Sequence, residues 1–198
     1  MKEIFLIRHG ETDWNAAGRL QGREDVPLNS TGEAQAHRVA EALHGIGIER
    51  IVTSYLSRAR RTAEIVAARL GLAELAVVEG LHERDYGDIS GLTPIERSAR
   101  FPPGTAPANQ ESAVAMKARV TAALQDIAAR HVERKILVVS HGGVINTLLA
   151  HFTDGQVGTG KTLLPNCSVT KFSRHGDAWR VQYFGVSAAA LATHESPA

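Results

Sequence analysis

The stretch Lys135-Ile136-Leu137-Val138-Val139-Ser140 is the clearest buried strand in this 198-residue sequence. A short, unbroken apolar run between polar residues is typical of a strand that is covered on both faces. His141-Gly142-Gly143 follows it directly, and an apolar helix is predicted from Val144 to Phe152. A strand that passes straight into a helix indicates an α/β fold.

A second run of the same kind opens the chain, where Ile4–Ile7 ends at Arg8-His9-Gly10. Further strands are predicted at residues 50–53 and 75–78, and a hairpin is predicted from residues 168–172 and 179–184. Helices are predicted at residues 31–43, 59–70 and 111–131, the first of them with Thr31 as its N-cap. This alternation predicts an α/β sandwich with a mostly parallel central sheet.

No linker or repeat divides the sequence, so a single domain is expected over residues 1–198. Residues 88–110 lack periodicity and are rich in proline, which predicts a loop or a lid. The tail from Ala188 onward, residues 188–198, is predicted to fray.

Composition excludes several classes of function. The net charge is +1, from 22 basic and 21 acidic residues, which argues against nucleic-acid and membrane partners but leaves room for a small anionic substrate. Cys167 is the one cysteine, so neither an internal disulfide nor a cysteine-rich zinc site is expected. The apolar run before Arg8 is too short for a signal peptide, which makes a cytoplasmic location the default expectation.

Two histidines follow two of the predicted strands, and both precede glycine. In parallel sheets ligands bind beyond the carboxyl ends of the strands, so His9 and His141 would share one crevice if their strands are neighbours. A neutral imidazole can attack phosphorus and form a phosphohistidine, which makes His9 a candidate nucleophile. His141 and the adjacent Gly142 would then face the oxygens of the transferred group.

Phosphoryl transfer also needs fixed positive charge and an acid for the leaving group. Arg8 adjoins His9, and residues 58–61 supply three more arginines after the second strand. Arg58 is the expected phosphate clamp, whereas Arg60 and Arg61 are expected to be surface charges of a helix. Glu83, just after the third strand, is the candidate acid.

These residues belong to a larger set of motifs. Arg8-His9-Gly10-Glu11-Thr12 with Trp14-Asn15 resembles the signature of the histidine phosphatase superfamily, the phosphoglycerate mutase-like family. The family's other motifs follow in order: Leu20-Gln21-Gly22, Pro27-Leu28, Thr31-Gly32, residues 54–63, residues 81–91 and Ser140-His141-Gly142. The stretch Ala108-Asn109-Gln110 departs from the Pro-Gly-Gly that is common before the Glu-Ser pair in relatives.

The resemblance implies a three-layer α/β/α sandwich and chemistry that needs no metal or other cofactor. It implies His9 as nucleophile, Glu83 as general acid and then base, and a phosphate pocket around them. That pocket is expected to contain Arg8, Arg58, His141, Asn15, Gln21, Gly22 and Gly142.

The family contains both phosphomonoesterases and phosphoglycerate mutases. Arg84 and Tyr86 resemble the mutase version, in which both contact the phosphoglycerate. Mutases, however, carry a longer basic insertion, and between Gly91 and Glu111 this sequence offers only Arg97 and Arg100. A phosphatase acting on a small phosphorylated metabolite is therefore favoured.

Two alternatives stay open. The first is a phosphoglycerate mutase, which alone would need 2,3-bisphosphoglycerate as a primer. The second is a non-catalytic phosphate-binding module. A homodimer formed through an exposed sheet edge is also open.

Overall fold

One six-stranded sheet organises the computed structural model, which describes residues 1–195. Its strands are β1 (Lys2–Arg8), β2 (Arg50–Thr53), β3 (Leu75–Val77), β4 (Lys135–Ser140), β5 (Val169–His175) and β6 (Ala178–Val186). The spatial order is β3-β2-β4-β1-β5-β6, with β1 to β4 parallel and β5 antiparallel to both of its neighbours. The predicted α/β fold with a mostly parallel sheet is confirmed.

Helices cover both faces of this sheet. They are α1 (Asp13–Ala16), α2 (Ser30–Leu43), α3 (Ser57–Leu70), α4 (Pro94–Arg100), α5 (Ala113–Arg130), α6 (Gly142–Phe152) and α7 (Ala188–Glu195). Side chains alternate along β1, so Phe5 and Ile7 pack with α2, α3 and α7, while Ile4 and Leu6 pack with α5 and α6. The result is the expected three-layer sandwich. Within residues 1–195, no helix combines the length and the apolar character needed to cross a membrane.

The pairing of β1 with β4 places the two histidines side by side. Arg8 lies opposite Ser140 in the parallel ladder, and the ladder continues one step further because the backbone N–H of His9 donates to the carbonyl of Ser140 at 2.9 Å. The condition set by the sequence, that these two strands be neighbours, is met.

The loop after β1 is pinned against α2 by two glycines. A Cβ atom on Gly10 would lie 2.4 Å from the carbonyl oxygen of Gly32, and one on Gly32 would lie 2.1 Å from the carbonyl oxygen of Glu11. No side chain fits at either position without moving backbone. The loop that carries His9 is therefore held by direct backbone contact.

The N-cap of α2 differs from the prediction. Asn29, not Thr31, caps this helix, and its side-chain oxygen accepts from the N–H of Gly32 at 2.8 Å. Thr31 lies inside the first turn of α2. The cap falls two residues earlier than predicted because the side chain of Asn29 accepts from an N–H group that the first turn leaves free.

The predicted loop at residues 88–110 is wrong in part. Gly87–Ile89 forms a 3-10 turn, and Pro94–Arg100 forms α4, which begins with a capping box between Thr93 and Glu96. Arg19 donates to Glu96 at 2.8 Å and to the carbonyl of Gly91 at 2.6 Å. This segment is therefore fastened to the loop after β1.

The predicted fraying of the C-terminal tail is wrong for residues 188–195, which form α7. Leu191 of this helix is fully buried in the core. The ammonium of Lys171 lies 2.8 Å from Glu3 and 2.9 Å from Glu195, so it joins β1, β5 and α7. Residues 196–198 lie outside the described part of the chain.

Candidate active site

A cleft of about 340 Å³ opens beyond the carboxyl ends of β1 and β4. Most of the predicted site residues line it: Arg8, His9, Asn15, Gln21, Gly22, Arg58, Glu83, Tyr86 and Gly142. His141 lies directly behind it, with its ring centre 5.2 Å from that of His9. The fold thus brings together residues from Arg8 to Gly142, which are 134 positions apart in the sequence. We call this cavity the phosphate cleft.

His9 is held in one tautomer. Its Nδ1 lies 2.7 Å from the carbonyl oxygen of Gly10, and because a carbonyl only accepts, Nδ1 carries the proton. Nε2 is then left with a free electron pair. Burial, with the charges of Arg58 and Arg8, holds the pKa of His9 well below its usual range. The imidazole is therefore neutral and directed, which is the form that a nucleophile requires.

Arg58 is a fully buried cation at the floor of the cleft. Its Nε donates to Nε2 of His9 at 3.2 Å, and its two terminal nitrogens donate to the carbonyls of Glu24 and Gly22, each at 2.7 Å. Burial lowers the pKa of the Arg58 guanidinium from its ordinary value. Because its direct partners are neutral groups, its charge remains available to an anion.

Among the buried polar atoms at the cleft that lack a hydrogen-bond partner within residues 1–195, two can donate to an anion. These atoms are Nε of Arg8 and Nδ1 of His141. Arg8 is anchored through its donation to the carbonyl of Leu164 at 2.5 Å, and Nε2 of His141 lies 2.9 Å from the hydroxyl oxygen of Ser54. Buried polar atoms are usually satisfied, so an orphaned set around one cavity indicates a polar ligand.

Burial also keeps His141 neutral. The pKa of His141 lies well below its usual range, first through burial and then through the charge of Arg58. A neutral imidazole with one anchored nitrogen can donate a single directed hydrogen bond into the cleft.

Amides close the other side of the phosphate cleft. Asn15 accepts from the amide nitrogen of Asn166 at 3.2 Å, and Asn166 donates to the carbonyl of His9 at 2.9 Å. The oxygen Oε1 of Gln21 is buried without a partner among the described residues. Asn166 acts through His9 and Asn15. Asn166 lies 157 residues from His9 along the chain and contacts it only in the folded protein, so no local pattern predicts this contact.

Glu83 is buried at the wall of the cleft, not on the surface. Its Oε1 accepts from the N–H of Arg84 at 2.8 Å, and its Oε2 accepts from the N–H of Gly143 at 2.9 Å. A Cβ atom on Gly143 would lie 2.3 Å from Oε1 of Glu83. The absent side chain at Gly143, in the first turn of α6, therefore makes room for this carboxyl group.

The segment that carries Glu83 is braced by an ion pair that the sequence does not reveal. Arg119 of α5 contacts Glu111 through two bonds of 2.8 and 2.7 Å, and it also donates to the carbonyls of Gly80 and His82. The carbonyl of Glu111 in turn accepts from Nε of Arg84 at 3.0 Å. Two partly buried charges thus fix the chain on both sides of Glu83.

Tyr86 lies at the junction of two cavities, whereas Arg84 lines only one of them. Tyr86 lines the phosphate cleft and also a second pocket of about 440 Å³, which Arg84 lines as well. The guanidinium of Arg84 lies 5.7 Å from the centre of the Tyr86 ring. Burial, first, and the charge of Glu83 raise the pKa of the Tyr86 hydroxyl, which keeps it protonated. We refer to this cavity as the second pocket.

The departure at Ala108-Asn109-Gln110 has a local explanation. Asn109 adopts a left-handed conformation with φ 60°, which asparagine tolerates better than most residues with a side chain. Its amide donates to Asp88 at 3.2 Å, and Ala108 accepts from the N–H of Asp88. The turn is kept without glycine.

The loop after α6 contains a misleading motif. Gly155 to Thr162 matches the spacing Gly-x4-Gly-Lys-Thr of nucleotide-binding phosphate loops. That motif requires a strand before it and a helix after it, whereas this loop follows α6. The N–H groups of Gly158 and Thr159 bond to Thr162 and Asn146, and Lys161 contacts the carbonyl of Gly155. The loop lacks the context and the free groups of a phosphate loop.

Three other residues singled out from the sequence do not line the cleft. Arg60 and Arg61 form ion pairs with Glu64 and Glu33 on the exposed side of α3. Cys167 is buried, and burial raises the pKa of its thiol to about 12. Across the described residues, no three His, Cys, Asp or Glu side chains lie together as a metal site would require.

Comparisons with known proteins agree with this geometry. The histidine phosphatase superfamily (branch 1) matches residues 4–187. The chain is 35% identical over 187 residues to the uncharacterized phosphatase PhoE of Bacillus subtilis (strain 168), which covers 94% of this chain and 96% of that protein. It is 39% identical over 196 residues to phosphoglycerate mutase-like protein 4 of Arabidopsis thaliana, covering 92% and 84%.

A solved structure with the same fold is that of a mycobacterial glucosyl-3-phosphoglycerate phosphatase in complex with VO3. It has a TM-score of 0.85 and 32% identity, and the match covers 94% of this chain and 100% of that one. Taken with the family match over nearly the whole sequence, the fold and the cleft show that the chain belongs to branch 1 of the histidine phosphatase superfamily.

Proposed function

We propose that the protein is a phosphomonoesterase that hydrolyses a small phosphorylated metabolite through a phosphohistidine formed on His9. One observation carries this proposal. The proton on Nδ1 of His9 is held by the carbonyl of Gly10, so Nε2 carries the electron pair, and this nitrogen lies 3.2 Å from Nε of the buried cation Arg58 at the floor of the cleft. The PhoE and glucosyl-3-phosphoglycerate phosphatase relatives support the choice of a hydrolase.

In the first step, Nε2 of His9 attacks phosphorus and the bond from phosphorus to the ester oxygen breaks. The leaving alkoxide takes a proton from the Glu83 carboxyl group. We expect Arg8 and Arg58, which line the cleft, and His141, which lies behind it with Nδ1 unpaired among the described residues, to bind the charged phosphoryl oxygens.

In the second step, the Glu83 carboxylate removes a proton from water. The resulting hydroxide attacks phosphorus, the bond to Nε2 breaks, and inorganic phosphate is released. His9 and protonated Glu83 are regenerated. The hydrogen bonds from Arg84 and Gly143 hold the carboxyl group in place for both proton transfers.

Rapid-quench labelling tests this proposal. An aryl phosphate with a labelled phosphoryl group should give acid-labile, base-stable label on the wild type, and no label on His9→Ala. Turnover with EDTA present should be unchanged. The matched control is His37→Ala, which removes an exposed histidine of α2. Label retained on His9→Ala, or label without release of phosphate, contradicts a His9-dependent hydrolase; the second outcome fits a phosphate-binding module.

A mutase is the second candidate. It is favoured by the position of Arg84 and Tyr86 beside the cleft and by the name of the Arabidopsis relative. Against it, Arg97 and Arg100, the two basic residues between Gly91 and Glu111, do not line the phosphate cleft. With 3-phosphoglycerate and 2,3-bisphosphoglycerate, we expect phosphate release to exceed isomer exchange. Faster exchange means a mutase.

A further inference from the structure

The second pocket continues directly from the phosphate cleft. The two cavities share Tyr86, Gly143 and Asn146, and the second pocket is the larger, at about 440 Å³. Its lining also includes the residues that carry the argument below: Arg84, Ala113, Met116, Lys117 and Ala150. It lies between α5, α6 and the loop after α6, so it is walled largely by helices.

The second pocket begins beside the proposed proton donor. Gly143 lines both cavities, and its N–H donates to Oε2 of Glu83. An ester oxygen that takes a proton from Glu83 therefore lies at the junction, and the rest of the alcohol extends away from the phosphate. The second pocket is in the place where the alcohol part of the substrate would lie.

The charge of this pocket has one sign. Arg84 and Lys117 are cations, and no Asp or Glu of the described chain lines it. The ammonium group of Lys117 makes no hydrogen bond or ion pair with residues 1–195, and the guanidinium of Arg84 donates only through its Nε, to the carbonyl of Glu111. Two cations without acidic partners in a concave wall attract an anion.

Size and lining add a second constraint. Ligand pockets commonly measure about 300 to 1,000 Å³, and the second pocket reaches this range without the phosphate cleft. Met116, Ala113 and Ala150 give it an apolar wall next to the cations. A three-carbon sugar acid would leave most of that wall uncovered, so a larger alcohol fits better.

The structure assigns the second pocket to the alcohol part of a phosphomonoester that carries a carboxylate beyond an apolar portion, with Lys117 as a specificity-determining residue. This inference rests on the proposed function of the phosphate cleft, and it names the class of substrate. Lys117 lines the second pocket but not the phosphate cleft, so it would act on binding of the remote carboxylate.

A matched pair of esters tests it. The phosphate ester of 3-(4-hydroxyphenyl)propanoic acid and that of its primary amide have the same shape and nearly the same leaving group, because two methylenes insulate the ring. We expect kcat/KM of the wild type to be about fivefold higher for the acid at low salt. Lys117→Met keeps the stem and removes the charge, and it should abolish that preference by raising KM for the acid alone.

Arg130→Met is the matched control, since Arg130 is an exposed cation of the same helix that lines neither cavity. It should keep the full preference. Equal rates for both esters in the wild type, or a preference that survives Lys117→Met, overturn the inference. If His9 is labelled in those cases, the proposed function stands. If neither ester labels His9 or is hydrolysed, both proposals fail.

Discussion

The Nε of Arg58 donates to Nε2 of His9 at 3.2 Å, so the electron pair that would attack phosphorus accepts this hydrogen bond. One electron pair cannot accept this hydrogen bond and form a bond to phosphorus together. An entering phosphoryl group must therefore take the Arg58 contact for itself. The hydrogen bond therefore holds Arg58 and His9 in place until an entering phosphoryl group breaks it.

Arg58→Lys should lower kcat/KM by about 100-fold, because an ammonium cannot bond His9 and the carbonyls of Glu24 and Gly22 together. Steady-state kinetics with an aryl phosphate measures this. Arg61→Lys, a change of an exposed arginine in the same helix, should stay within about twofold. An unchanged Arg58→Lys enzyme would remove Arg58 from the proposed clamp.

Glu83→Gln should slow phosphorylation of His9 according to the leaving group. Esters of alkyl alcohols need a proton donor and should lose about 100-fold or more, whereas a nitrophenyl ester should lose much less. Single-turnover quenching isolates this step from the later attack of water. Glu79→Gln, which alters an exposed glutamate four residues earlier, is the control. Equal losses for both esters would count against an acid role.

Folding stability should depend on pH through the buried histidines. The pKa values of His9, His141 and His82 are lowered in the folded protein, first of all by burial, so protons bind preferentially to the unfolded chain. The free energy of unfolding should therefore fall as pH drops below about 6.5, by up to about 1.4 kcal/mol per pH unit for each histidine.

Urea unfolding at about pH 7.5 and about pH 5.5 measures this, above the range in which carboxylates begin to protonate. His141→Asn should flatten the pH dependence, whereas His37→Asn should not. A wild-type stability that is constant or rises over this range would contradict the burial of neutral imidazoles.

Leu191→Ala should destabilise the protein by about 2 to 3 kcal/mol, because the fully buried side chain leaves a cavity between α7 and the sheet. Chemical denaturation measures the loss. Thr193→Ala, on the exposed side of the same helix, should change stability by less than about 0.5 kcal/mol. A small effect of Leu191→Ala would mean that α7 contributes little to the core.

The sequence predicted the parts of the fold that have strong local signals. Three local features can be read from the sequence alone. They are the apolar strands, the helices that end at glycine, and the positions of His9, Arg58 and Glu83 after strands. Helix α4 was not predicted, although Thr93-Pro94-Ile95-Glu96 is a typical helix start. The reason is that the helix is only seven residues long and lies among prolines. Helix α7 was not predicted because its stability comes from the burial of Leu191, not from its sequence pattern.

The site was less accessible than the fold. The order of the motifs predicts that His9, Arg8 and His141 share one site. The roles of Asn166, Gly143 and Arg119, by contrast, depend on contacts between distant elements. The second pocket has no motif at all, since Arg84, Lys117 and His151 converge only when α5 packs beside α6. Residues that bind a particular alcohol are likewise brought together only by the fold. The sequence therefore predicts the type of reaction but not the identity of the substrate.

The parallel pairing of Arg8 with Ser140 determines how far apart the reacting groups lie. It sets the spacing of the two imidazoles through main-chain geometry, which substitutions elsewhere barely alter. The walls of the second pocket, by contrast, are side chains of helices and a loop that can be exchanged singly. Descendants of one ancestor could thus acquire new substrates without rebuilding the chemistry, and relatives carrying phosphatase and mutase names can share a single reaction centre.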